Sequence, residues 1–203
     1  MTQSQLQVLA NVGIVACWGA FTLVWLVGAV YTANRGPAER SHARFGSGTI
    51  IVAVIMWVIL HVWPAHDWRS LIVQAAWVRI LGLVILAGST AFAIWARGVL
   101  GTMWSMGPMV KEEHKLRTEG PYGITRHPIY TAMLGMVLGT SLLVGVGHWA
   151  PLFPVSLVVL EVKIYLEERL MLATFPDDYP QYRRRVPQLI PGLRVPGRRR
   201  AAA

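Results

Sequence analysis

Four long stretches of the chain contain no Asp, Glu, Lys or Arg: 1–34, 45–66, 80–96 and 127–160. Roughly 20 apolar residues, rising 1.5 Å each, cross the hydrocarbon core of a bilayer, so gaps of this size are the size of membrane spans. The pattern predicts helices at about 6–33, 48–63, 71–95, 129–146 and 151–171. The expected fold class is therefore all-α, a polytopic membrane protein with five transmembrane helices. The fifth is unusual, because its uncharged part is too short to cross alone and the helix must run on through "EVKIYLEERL", Glu161 to Leu170. Each charge at bilayer depth costs about 2.5–3.5 kcal/mol on insertion scales, so these residues must line a polar cavity or lie at the interface.

Composition agrees with the pattern. Apolar residues make up 54% of the chain and charged residues 14%, respectively above and below the shares of an ordinary soluble domain. The first segment has no Lys or Arg ahead of it and is too long for a cleavable leader, so it reads as a permanent span. Cys17 is the single cysteine, which excludes an intramolecular disulfide and a cysteine-cluster metal site; no metal is expected.

The net charge of +9 could point to nucleic acid, but the basic residues sit in loops and at the carboxyl end, where anionic lipid and the positive-inside rule explain them. The loop 34–44 carries Arg35, Arg40 and Arg44, whereas the next, 61–70, carries only Asp67 and Arg69. Alternation then puts the 98–126 linker and the Arg-rich tail on the side of the first loop. The amino terminus is expected outside and the carboxyl terminus in the cytoplasm.

Three features inside the spans need a reading. Arg79, near the outer end of the third, reads as a side chain snorkelling to the interface. Gly135 and Gly139 form a GxxxG in the fourth, which permits close helix approach and suggests a tight hairpin with the fifth across the short connection "GVGHWAP". Lys163 and Glu167 are four apart, share a helix face, and read most simply as a surface ion pair.

The stretch "EGPYGITRHPIYTAM", Glu119 to Met133, places charge at the mouth of an apolar helix. Gly120 and Pro121 make a turn, and Pro128 suits a first helical turn because its missing N–H is not needed there. Arg126 and His127 thus fall at a helix N-terminus, with Tyr130 one turn in, at the membrane level of Lys163 and Glu167. A helix N-terminus beside cations suits a carboxylate or phosphate. Interfacial Arg, His and Tyr also serve as simple anchors, and the residues alone leave both readings open.

"HKLRTEGPYGITRHPIY", His114 to Tyr130, followed by a hydrophobic hairpin, "EERL" and "FPDDYPQYRRRVPQLIPG", Phe175 to Gly192, resembles the isoprenylcysteine carboxyl methyltransferase and phospholipid methyltransferase superfamily. The resemblance covers 100–192, in order and spacing. It leaves out the first two spans, which carry no family motif, so the expected division is a two-span amino-terminal region, 1–70, and a methyltransferase core, 71–203. The resemblance implies that S-adenosylmethionine, leaving as S-adenosylhomocysteine, is held at the cytoplasmic end of the last three spans. The positions that match the family's cofactor residues are His114, Lys115, Leu116, Arg117, Tyr122, His127, Pro128, Ile129, Tyr130 and Glu167. Lys163 stands where a basic residue contacts the substrate carboxylate, arginine in related eukaryotic enzymes; lysine keeps the charge without the bidentate fork. Lys163 and Arg126 are the candidate catalytic residues.

The chemistry of these residue types fits that resemblance. The cofactor has a sulfonium, an amino-acid head and an adenosine, so its pocket needs a carboxylate and several donors, which Glu167 and the Arg126–His127 helix start supply. The expected partner is a lipophilic acceptor entering from the bilayer, with membrane lipid around the spans and no nucleic acid. A carboxylate of prenylcysteine type suits Lys163. Phospholipid or amine N-methylation is the alternative and would need a base, for which Glu168 or Tyr130 is the candidate. A sterol-reductase-like oxidoreductase using NADPH is a further alternative, but such relatives read RHPNYxGE where this chain has Ile129 and Met133.

Overall fold

The structure is a computed structural model that describes residues 2–35, 39–40, 73, 75–101, 110–111 and 116–193. The second expected span, 48–63, and the cofactor candidates His114 and Lys115 lie outside the described residues. The described chain is helical apart from two two-residue strands, β1 (Glu39–Arg40) and β2 (Val110–Lys111), which pair antiparallel. Its α-helices are α1 (Gln3–Arg35), α2 (Ala76–Leu100), the single turn α3 (Pro121–Ile124), α4 (Pro128–Val144), α5 (Leu152–Thr174) and α6 (Asp178–Arg185), with a 3-10 turn at Gly147–Trp149 between α4 and α5.

By length and apolar composition α1 and α2 can each cross a bilayer, while α4 is a shorter apolar helix. Helix α1 turns Val12, Val15, Leu23, Leu26, Val27 and Val30 outward, each 60% or more exposed. A soluble core helix would bury such residues; a helix against lipid leaves them on the surface.

Helix ends follow local chemistry. Helix α2 runs five residues past its expected end, through Gly98, and stops where Gly101 (φ 53°) leaves the helix with positive φ and bonds its N–H back to the Arg97 carbonyl. The Arg97 side chain tightens that end by donating to the Gly101 carbonyl at 2.8 Å. Helix α4 opens with Pro128 in its first turn and stops at Gly145, whose left-handed conformation (φ 102°) caps it.

Two apolar clusters divide the two faces of α4. Met136 and Leu143, nearly a turn multiple apart, pack with Leu86 of α2 and Ala10 of α1, and Trp18 of α1 donates its Nε1 to Thr140 Oγ1 at 3.0 Å. Leu134, from the other face, packs with Leu160 and Ile164 of α5 and with Leu189 beyond α6.

The expectation for the GxxxG pair is corrected by this division. Gly135 and Gly139 face α2, not α5: a Cβ on Gly139 would stand 2.7 Å from the Gly82 carbonyl and from the Leu86 nitrogen, and one on Gly135 would stand 2.1 Å from Ser89 Oγ. Small residues on both helices, Gly82 and Ser89 against Gly139 and Gly135, select the partner; α5 offers no matching small stripe. The snorkelling expected of Arg79 is not observed either. Its side chain is buried, 6% exposed, against α1, where Nη1 reaches Gln7 Oε1 at 3.4 Å.

Candidate functional site

The turn before α4 converts sequence neighbours into a cluster. Gly120 takes φ 58°, α3 completes one turn, and Thr125 returns to extended backbone. Arg126 and His127 then run beside the segment after α6. The Arg126 N–H donates to the Pro187 carbonyl at 2.8 Å and the His127 N–H to the Gln188 carbonyl at 3.2 Å. Thr131 Oγ1 adds a bond to the Leu189 carbonyl at 2.7 Å. The carboxyl-terminal segment is thereby strapped across the start of α4, and Gln188 ties it to α5 by donating to Glu161 at 2.8 Å.

Glu168 is the hub of the strap. Its Oε1 accepts from Arg126 Nε at 2.8 Å and lies 2.7 Å from Arg126 Nη2, and its Oε2 lies 3.3 Å from Arg183 Nε. The Glu168 and Arg126 side chains are 8% and 7% exposed. A buried ion is tolerable only when paired and fully hydrogen-bonded, and Arg126 completes its set through Nη1 to the carbonyls of Val186 (2.6 Å) and Arg183 (3.2 Å). Sequence reading considered Glu168 only as a base and missed Arg183. The signal available was tandem Glu167–Glu168 followed by the Arg183–Arg185 run, but neither says which carboxylate turns inward.

The preceding residue, Glu167, looks into a second set of groups. Tyr130 Oη donates to Glu167 Oε1, and His127 Nδ1 lies 3.7 Å from Oε2. The His127 and Tyr130 rings stack 5.7 Å apart at 11°. Lys163 Nζ lies 5.2 Å from the Tyr130 ring centroid, a cation–π distance, and among the described residues makes no ion pair. The surface pair expected between Lys163 and Glu167 is replaced, because Tyr130 and His127 reach the carboxylate first.

The structure thus brings together Arg126, His127, Tyr130, Lys163 and Glu167. Pro128 and Ile129 form the first turn between them. Tyr122 stands beside them, buried, with its carbonyl accepting from Tyr182 Oη at 2.6 Å. Burial pushes the hydroxyls of Tyr122, Tyr179 and Tyr182 above the ordinary tyrosine range. Leu116 lines a cleft of about 380 Å³ with Thr118, Asp178, Gln181, Tyr182, Arg185 and Val186, whereas Arg117 is exposed.

Does this set fit a cofactor with a cationic sulfonium and an amino-acid head? His127 Nε2 is buried and makes no hydrogen bond, although Glu168 Oε1 is 3.5 Å away. An orphaned donor or acceptor is costly unless something else engages it. Beside it, the Glu167 side chain remains 21% exposed. A partly open carboxylate for cationic groups thus lies 3.7 Å from the Nδ1 edge of an imidazole that can serve a polar head, and the residues fit.

A helical membrane protein with a carboxylate, histidine and lysine gathered where two helices meet its carboxyl-terminal strap is what fold and site define. The family described as phospholipid methyltransferase matches residues 77–178, and the chain belongs to that family. It is 36% identical over 83 residues to the protein-S-isoprenylcysteine O-methyltransferase of Schizosaccharomyces pombe, covering 39% of this chain and 34% of the relative. It is 31% identical over 165 residues to methanethiol S-methyltransferase 1 of Bradyrhizobium diazoefficiens, covering 78% and 56%. With the methanethiol S-methyltransferase of Pseudomonas deceptionensis it shares 25% identity over 163 residues, covering 78% and 61%. The chain thus spans 34% to 61% of the length of these curated relatives. The solved structure of the eukaryotic intramembrane Ras methyltransferase, isoprenylcysteine carboxyl methyltransferase, has the same fold, with a TM-score of 0.58 at 22% identity over 89% of this chain and 68% of that one.

Proposed function

We propose that the chain is an integral membrane methyltransferase that uses S-adenosylmethionine to methylate a lipophilic carboxylate. The single observation carrying the acceptor class is Lys163, a half-buried ammonium that rests on an aromatic face and has no ion-pair partner among the described residues. A cation kept in such a place is suited to an incoming anion.

When bound, S-adenosylmethionine supplies an electrophilic methyl group on sulfur. Glu167 and His127 would hold it, with Tyr122 and Leu116 alongside. Lys163 would fix the acceptor carboxylate against the apolar wall of Leu160 and Ile164, and Leu189 with the strap would keep water away. A carboxylate of pKa about 4 is ionised at neutral pH, so no side chain has to remove a proton. Both candidate bases are in fact committed: Glu168 to two guanidinium groups, Tyr130 to Glu167. Arg126 then acts by holding the strap and orienting its neighbour His127. Family membership favours methyl transfer over the reductase alternative.

The methanethiol S-methyltransferase relatives support a second reading, thiol methylation, since each aligns with 78% of this chain. A thiol would need its proton accepted, which the committed state of Glu168 and Tyr130 disfavours. Labelled-methyl transfer from S-adenosylmethionine to matched carboxylate, thiol and amine acceptors on one apolar tail tests the assignment: carboxylate turnover supports it, and thiol or amine turnover alone overturns it. Five spans, with the site at the cytoplasmic end and the amino terminus outside, complete the proposal; labelling of an engineered cysteine at position 202 from outside intact cells would contradict that orientation.

A further inference from the structure

An i,i+4 lysine and glutamate on one helix face ordinarily pair with each other. Lys163 and Glu167 do not, and the reason is a third residue. Tyr130, from the first turn of α4, gives its hydroxyl to Glu167 Oε1 and presents its ring to Lys163 Nζ at 5.2 Å. His127, stacked on Tyr130, stands 3.7 Å from the other Glu167 oxygen.

We infer that Tyr130 is a positioning residue that keeps the Lys163 ammonium available to an acceptor anion, by occupying the carboxylate that would otherwise neutralise it. The inference rests on the carboxylate reading for its functional meaning, while the relation among the three side chains stands on geometry alone.

Two properties of tyrosine are needed at once. The hydroxyl is a strong donor to a carboxylate, and the ring face attracts an ammonium without cancelling its charge. Phenylalanine would keep the second and lose the first, freeing one Glu167 oxygen to turn toward Lys163. Leucine would lose both. The device also sets specificity. An ammonium already paired with Glu167 presents almost no net charge to a substrate, so an anionic acceptor would lose its advantage over a neutral one of the same shape. Because Tyr130 packs against the cluster of Leu134, Leu160, Ile164 and Leu189, its ring is held in register with both α5 side chains.

The test uses the full chain in detergent or nanodiscs and reads Lys163 directly. The rate of amine acylation at Lys163, resolved by peptide mass spectrometry, should fall at least threefold in Tyr130→Phe, since a newly ion-paired ammonium reacts more slowly. It should return to the parent rate in Tyr130→Phe/Glu167→Gln. A Lys163 labelling rate unchanged or faster in Tyr130→Phe overturns the inference. In turnover, the kcat/KM preference for a lipophilic carboxylate over the thiol on the same tail should drop at least fivefold in Tyr130→Phe, a ratio that cancels any shared effect on cofactor binding. A purely structural role would lower both acceptors equally and leave the ratio intact. If Lys163→Ala leaves carboxylate turnover unchanged, the acceptor anchor itself is wrong; the labelling arm, which needs no substrate, still decides whether Tyr130 governs the pairing of Lys163.

Discussion

Arg126, just before α4, and Glu168, within α5, meet at 2.7 Å in a site where their side chains are 7% and 8% exposed. That pair anchors the carboxyl-terminal strap, because the same guanidinium also holds the Val186 and Arg183 carbonyls. Glu168→Gln leaves Arg126 buried without a counter-charge, which costs about 3–5 kcal/mol. The expected result is a lower unfolding midpoint and faster tryptic cleavage at Arg183, Arg184 and Arg185 than in the parent. Tyr182→Phe, which removes a single neutral bond to the Tyr122 carbonyl, should cost only about 1 kcal/mol. Equal effects of the two variants would contradict the hub role of Glu168.

The α2–α4 interface makes a sharp comparison between two glycines. Gly139→Ala forces a methyl group to within 2.7 Å of the Gly82 carbonyl, while Gly88 on α2 has nothing within 4 Å of a new Cβ. Overpacking should destabilise Gly139→Ala by about 1–3 kcal/mol. Gly88→Ala should be neutral or stabilising by about 0.5–1 kcal/mol, as expected for replacing a mid-helix glycine. Thermal midpoints in one detergent check both signs.

Much of this was legible in the sequence because the signals were local. Charge-free stretches located α1, α2, α4 and α5 to within a few residues, and the proline and glycine punctuation around 120–128 placed Arg126 and His127 at a helix start. What escaped was long-range. A GxxxG motif says that some helix comes close but not which one, and the choice of α2 depended on Gly82 and Ser89, more than 45 residues earlier. Glu167 and Glu168 are adjacent and chemically identical in sequence. Only the packing of α5 sends one to Arg126 and Arg183 and the other to Tyr130 and His127. Arg79 was equally opaque, since its burial depends on α1 lying beside it.

Alkali should weaken the carboxyl-terminal docking. Burial holds the Tyr122, Tyr179 and Tyr182 hydroxyls above their ordinary range. A group whose folded pKa is raised contributes stability that is complete below the unfolded value, about 10 for tyrosine, and is lost as pH climbs toward the folded value. The unfolding midpoint should therefore stay level from neutral pH to about 10 and fall beyond it. Tyr179→Phe should fall less steeply; a slope as steep as the parent's would contradict the assignment of that loss to Tyr179.

Cofactor affinity should depend on Glu167 rather than on the fold around it. Glu167→Gln is expected to weaken S-adenosylmethionine binding at least tenfold, about 1.4 kcal/mol, with little change in the ligand-free unfolding midpoint. Calorimetry that finds full affinity in the folded variant would remove Glu167 from the cofactor set.

The central claim is that Lys163 holds an acceptor anion, and the most direct measurement is kcat/KM for labelled-methyl transfer to one lipophilic carboxylate in the parent, Lys163→Ala and Lys163→Arg. The account predicts a loss of about a hundredfold or more in Lys163→Ala, equivalent to about 2.7 kcal/mol of transition-state stabilisation, with cofactor affinity retained. It predicts that Lys163→Arg, which keeps the charge, stays within about tenfold of the parent, and that the parent rate is nearly flat from about pH 6 to 8.5 because no side chain must lose a proton. Undiminished turnover in Lys163→Ala, or a parent rate climbing steeply through neutral pH, would contradict it.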